Sequence, residues 1–190
     1  MHRTAVSTSL TAACCLALLT ACTGGDHDSD RKPDAHTALR LNHSADTAGA
    51  GGDGTMRITP DTVLYLRRTS SGTAEHGLYA VVTFSAENRS QTPVTATTKT
   101  GGFRWKAPDG HTVGAGNSRS AARIAPTGFA DGGPTVPVGT FRRNTLAFDI
   151  TDAEKGGTLV YVDGRGDAYR WRIPSTSSGP VVTALRRALT

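Results

Sequence analysis

The stretch that most restricts the fold is Leu78-Tyr79-Ala80-Val81-Val82-Thr83-Phe84-Ser85-Ala86. Leu78, Ala80, Val82, Phe84 and Ala86 fall on one side of an extended chain, and Tyr79, Val81, Thr83 and Ser85 on the other. That is the period of two belonging to a β-strand, and no helix face collects these residues. The same pattern recurs along the chain. Thr62–Arg67 reads as a first strand. Val94–Thr98 is β-branched enough for another. Phe103-Arg104-Trp105-Lys106 alternates with its aromatics inward, and Thr145–Ile150 alternates with Leu146, Phe148 and Ile150 inward. Thr158–Val162 and Ala168–Ile173 read as a hairpin around Asp163-Gly164-Arg165-Gly166-Asp167. In its second arm Tyr169, Trp171 and Ile173 point one way, and Arg170 and Arg172 the other. Turn chemistry separates the runs, in the Ser70–Gly77 segment, Glu87-Asn88-Arg89-Ser90 and Pro108-Asp109-Gly110. About seven short strands spaced in this way imply an all-β, two-sheet antiparallel sandwich over residues 57–174.

Composition agrees. Thr, Ala and Gly are the commonest residues, and 190 residues hold only five Phe, four Tyr and two Trp, which suits a small turn-rich β protein. Residues 57–174 carry fifteen basic and ten acidic side chains, whereas residues 22–56 carry three basic and six acidic. Mild basicity permits attraction to anionic envelope polymers or headgroups, the alternative being a solvated surface that merely carries more Arg than Glu. It lacks the clustered basic helix of a nucleic-acid binder.

The N-terminus reads as an export signal over residues 1–21. Arg3 supplies the positive start and Leu10–Leu19 an apolar run of about ten residues, within the signal range and too short to span a bilayer. Leu19-Thr20-Ala21-Cys22 then reads as a lipobox. Leu19, Thr20 and Ala21 let a signal peptidase cut before Cys22, whose sulfur takes the lipid. Cys14, Cys15 and Cys22 are the chain's three cysteines, so the cleaved protein has no internal disulfide, thiolate nucleophile or thiolate metal site.

Residues 22–56 read as a flexible, acidic tether, too poor in large apolar side chains to offset the entropy of ordering. Leu39 and Leu41 are its two candidates for contact with the domain. Asp26, Asp28 and Asp30 mimic the opening of a calcium loop, but Arg31 stands at the position needing Gly and Thr37 where Glu is needed. His27, His36 and His43 are scattered in the tether and read as solvated. At the other end, residues 175–190 form a tail that fits either a strand or a short helix. Residues 111–137 read as a long loop, with one short strand near Arg123-Ile124.

The run from Leu78 to Ile173 resembles the immunoglobulin-like lipoprotein domains of the DUF4352 type, also called telomeric-repeat-binding-factor-2-like. The Tyr-Ala-Val-Val strand ending in Glu87-Asn88-Arg89-Ser90 carries the resemblance, with Phe103-Arg104-Trp105-Lys106-Ala107-Pro108-Asp109-Gly110. Pro137-Val138-Gly139 before Leu146-Ala147-Phe148-Asp149-Ile150 completes it. The resemblance implies an extracytoplasmic immunoglobulin-like sandwich. It implies no shared activity, no telomere binding and no catalytic residue.

The domain offers no catalytic set. His76 and His111 are its only histidines, both in turns, and neither a Gly-x-Ser-x-Gly elbow nor a His-Glu-x-x-His pair occurs. Met56 is the one methionine after the signal, which argues against soft-metal binding. No cofactor or metal is expected. Arg165-Gly166-Asp167 spells an adhesive tripeptide, but Gly and Asp are also what a tight hairpin turn needs. These features describe a non-catalytic binding or accessory module, held on the outer face of the membrane by its lipid. Its partner would be an envelope protein or anionic polymer, with the 111–137 loop and Arg142, Arg143, Arg170 and Arg172 as the contact surface. A purely structural envelope lipoprotein is the alternative.

Overall fold

The computed structural model describes residues 37–98 and 101–190, which belong to one compact unit, Lys32–Thr190. Residues 1–36, on which the readings of a signal, of a lipobox at Leu19, Thr20, Ala21 and Cys22 and of most of the tether fall, lie outside the described residues.

Two sheets face each other. The first, sheet B, has four strands: β2 (Ala45–Ala48), β3 (Thr55–Leu66), β6 (Leu78–Asn88) and β11 (Phe141–Ile150), in the order β11-β6-β3-β2. The second, sheet A, has five: β1 (Leu39–Arg40), β8 (Gly102–Lys106), β9 (Thr112–Gly114), β12 (Thr158–Val162) and β13 (Ala168–Arg172), in the order β1-β13-β12-β8-β9. Two short pairs decorate them, β4 (Arg68–Thr69) with β5 (Gly72–Thr73), and β7 (Val94–Thr95) with β10 (Thr135–Val136). With β3, β6 and β11 in one sheet and β8, β12 and β13 in the other, the arrangement is an immunoglobulin-like sandwich. One pairing departs from the antiparallel expectation: β1 runs parallel to β13, with Leu39 opposite Trp171 and Arg40 opposite Arg172.

The alternation of β6 decides the layering. Leu78, Ala80, Val82, Phe84 and Ala86 all face the space between the sheets, as the sequence predicts. Trp105, Leu159, Tyr161, Tyr169 and Trp171 meet them from sheet A. Trp105 lies 5.8 Å from Phe148, centroid to centroid, and edge-on to Tyr65. Its indole Nε1 donates to the Glu154 carbonyl at 3.1 Å, so the ring is buried without an orphaned donor. A buried tryptophan on this strand is a hallmark of immunoglobulin folds, present here without the inter-sheet disulfide. The Tyr161 hydroxyl accepts from the Thr97 backbone N–H at 3.0 Å.

The other face of β6 is covered too. Tyr79 and Val81, with Leu64 and Ala147 beside them, pack under Ala121, Ile124 and Phe129 and under the helix α1 (Val182–Leu189) through Leu185 and Leu189. The tail, readable from sequence as strand or helix, is therefore this helix, and it belongs to the domain. The 111–137 segment contains β9, β10 and a 3-10 turn at Ala121–Arg123, and its apolar residues serve as a second cover.

The N-terminal boundary also differs from the expectation of a tether to residue 56. Residues 39–56 supply β1, β2 and the start of β3. Ala45 and Met56 are almost fully buried, and Leu39 and Leu41 pack against the core. Trp171 Nε1 donates to the His43 carbonyl at 2.7 Å, and the Ala48 N–H donates to the Asp163 carboxylate at 2.8 Å. These strands are too short, and their buried residues too small, to give a hydrophobic signal.

Candidate basic sheet face

Each strand of sheet A buries one set of alternate residues and turns the other set outward. Tyr169 and Trp171 go inward, so Arg170 and Arg172 go outward. Phe103 and Trp105 go inward, so Arg104 and Lys106 go outward. Register then aligns the cations in rows. Arg170 is opposite Val160, and Val160 opposite Arg104. Arg172 is opposite Thr158, and Thr158 opposite Lys106. On the far side of Arg172, Arg40 of β1 stands beside it. Arg40, Arg104, Lys106 and Arg172 are exposed, and Arg170 is half-buried.

None of the outward strand positions is acidic or aromatic. Among the described residues, Arg40, Arg104, Lys106 and Arg172 make no ion pair. Arg170 Nη1 donates to the Ala168 carbonyl at 3.2 Å. Strands in a sheet lie about 4.8 Å apart, which puts the β8 and β13 cations about 10 Å apart across β12. Successive outward residues on one strand are about 7 Å apart. The face is thus a small lattice of like charge, held by the sheet rather than by flexible loops.

Of the four arginines singled out from sequence, Arg170 and Arg172 belong to this lattice and Arg142 and Arg143 do not. The latter pair sits on β11, an edge of the other sheet. Arg142 is a strap: Nε donates to the Thr135 carbonyl at 2.8 Å and Nη1 to the Asp131 carbonyl. The Arg143 backbone N–H donates to the Asp131 carboxylate at 2.9 Å. Sequence reading missed Arg40, Arg104 and Lys106. Their signal was present in the alternation of Phe103–Lys106, but which strands are neighbours was not.

His76 and His111 each face an acid. His76 Nδ1 lies 3.5 Å from Asp149, whose buried carboxylate accepts the backbone N–H groups of Glu75 and His76 at 2.7 and 2.9 Å. Asn117 brackets the Asp149 backbone, donating to its carbonyl and accepting from its N–H. Asp149 thus holds the turn before β6. His111 Nδ1 lies 2.6 Å from Glu154, and that hydrogen bond raises the histidine pKa. Burial works to raise the Glu154 pKa, but the Thr151 backbone N–H and His111 outweigh it and the carboxyl is lowered. No serine, threonine or cysteine hydrogen-bonds either imidazole among the described residues, so neither pair forms a nucleophile–base set.

An open hollow of about 300 Å³ beside the 111–137 segment is lined by Ala115, Gly116, Ala121, Ala122, Ile124 and the Thr145–Ala147 edge. It contains no titratable side chain. At the β12–β13 tip, Arg165 Nε donates to the Gly52 carbonyl at 3.2 Å, so the arginine of the Arg-Gly-Asp sequence is engaged within the domain. Among the described residues, no group of three His, Cys, Asp or Glu is arranged to hold a metal ion, and no helix is long and apolar enough to cross a membrane.

No family model, curated protein or solved structure matches the chain.

Proposed function

We propose that this protein is an exported lipoprotein, held by a lipid on Cys22 at the outer face of the cell membrane, and that its sandwich is a non-catalytic binding module. The observation that carries the binding role is the ordered basic face of sheet A. Exposed like charges fixed in register raise the cost of folding through mutual repulsion, and a polyanionic partner offsets that cost on binding. The signal-and-lipobox order at the N-terminus supports the anchor, and two or more acyl chains make such attachment stable. The DUF4352-type resemblance supports the extracytoplasmic placement. The partner class is an anionic component of the envelope, with no nucleic acid and no cofactor involved.

The anchor is tested by expressing the full chain in a lipoprotein-processing bacterium fed labelled palmitate. The wild type takes the label and sediments with membranes. Cys22→Ser takes none and leaves the membrane fraction. Equal labelling of both would overturn the anchor.

A further inference from the structure

The basic face has a shape as well as a charge. Thr158, Val160 and Val162, the outward residues of β12, are uncharged, and all three are half-buried. On one side of them stand Arg104 and Lys106 of β8, on the other Arg170 and Arg172 of β13, in register. The face is therefore a track: a neutral, β-branched floor one strand wide between two cationic walls about 10 Å apart, each wall presenting its charges about 7 Å apart along the strand.

We infer that this track takes a single linear polyanion with a phosphodiester or phosphate backbone, laid along β12 with its charges meeting both walls. The inference deepens the binding role proposed above and rests on it. Three observations choose the ligand. The walls are chiefly arginine, whose planar fork suits the oxyanions of phosphate. No aromatic side chain faces outward on sheet A, so the face has no ring platform for a base or a sugar, and recognition falls chiefly on the backbone charge. The floor is one strand wide and lies between two rows rather than within one broad cationic plane, which matches a single chain better than a bilayer surface.

The test is fluorescence anisotropy with residues 37–190 and three probes: end-labelled linear inorganic polyphosphate, poly-glutamate of matched length, and vesicles of phosphatidylglycerol with phosphatidylcholine. Polyphosphate is expected to bind at low salt, with an affinity that falls as salt rises because counterions are released. Poly-glutamate is expected to bind at least tenfold more weakly, and the vesicles more weakly still. Arg104→Gln with Arg172→Gln, one change in each wall, is expected to lower polyphosphate affinity on the order of tenfold and to reduce the salt slope by about 2. Arg186→Gln with Arg187→Gln removes two exposed charges from α1 and is expected to change little. Unfolding curves for each variant separate lost binding from lost structure. Poly-glutamate binding equal to polyphosphate would overturn the phosphate class while leaving a basic binding face. Preference for vesicles would overturn the single-chain track. Binding of none of the three would remove the binding role itself.

Discussion

Glu154 gathers several constraints in one carboxylate. It accepts from the Thr151 backbone N–H at 2.6 Å, closing a capping box on the turn between β11 and β12, and it faces His111 at 2.6 Å. Its backbone carbonyl holds the Trp105 indole. The pH dependence follows in sign. His111 has a raised folded pKa, so its contribution is full below the ordinary imidazole value and is lost as pH rises through the raised one. Glu154 has a lowered pKa, so its contribution is present above the ordinary carboxylate value and is lost as pH falls through the folded one. Thermal unfolding should thus show highest stability between these limits, and His111→Gln should flatten the alkaline decline. An unchanged alkaline limb in His111→Gln would refute the coupling. Gly164 gives a steric prediction. A Cβ there would collide with the Gly49 carbonyl, where the β12–β13 tip packs on the turn after β2. Gly164→Ala should cost about 1–3 kcal/mol by denaturant titration.

At the scale of elements, both ends of the described region 37–190 are structural. Leu185 and Leu189 are buried on the outer face of sheet B, where α1 lies against β3 and shares the cover of that face with Ala121, Ile124 and Phe129. Leu185→Ala should destabilise by about 2–5 kcal/mol, measured by urea unfolding. The N-terminal strands bind through backbone pairing and through His43 and Ala48. A fragment of residues 57–174 should therefore give poorly dispersed NMR spectra, whereas residues 37–190 should fold. What could be read from sequence follows the same line. β6, β12, β13 and the Thr145–Ile150 part of β11 were legible because their apolar residues recur at every second position, whereas of β3, Thr55–Leu66, only the stretch from Thr62 onward was read as strand. The edges were not. β1 has two residues, β2 buries mostly small ones, and α1 is eight residues long, too little for a period to stand out.

At the scale of the molecule, the sandwich is unequal. Sheet B is buried on both faces over much of its length, whereas sheet A is packed inward and bare outward. The covered sheet supplies rigidity, and the bare one supplies a surface. Two of the five cations of the candidate site were legible for a related reason. Outward placement of Arg170 and Arg172 follows from one strand's own pattern. Their alignment with Arg104, Lys106 and Arg40 depends on β12 pairing with β8 (Thr158 opposite Lys106) and on β13 pairing with β1 (Trp171 opposite Leu39), segments far apart in sequence that no local pattern connects. If the bare face is the working surface, losing its charges should abolish attachment without unfolding the domain. The direct measurement is retention of residues 37–190 on purified cell envelopes across a salt series. Wild type should be retained at low salt and released at high salt, Arg104→Gln with Arg172→Gln should be released at distinctly lower salt, and Arg186→Gln with Arg187→Gln should behave as wild type. Retention equal in all three, or absent in the wild type, would contradict the account.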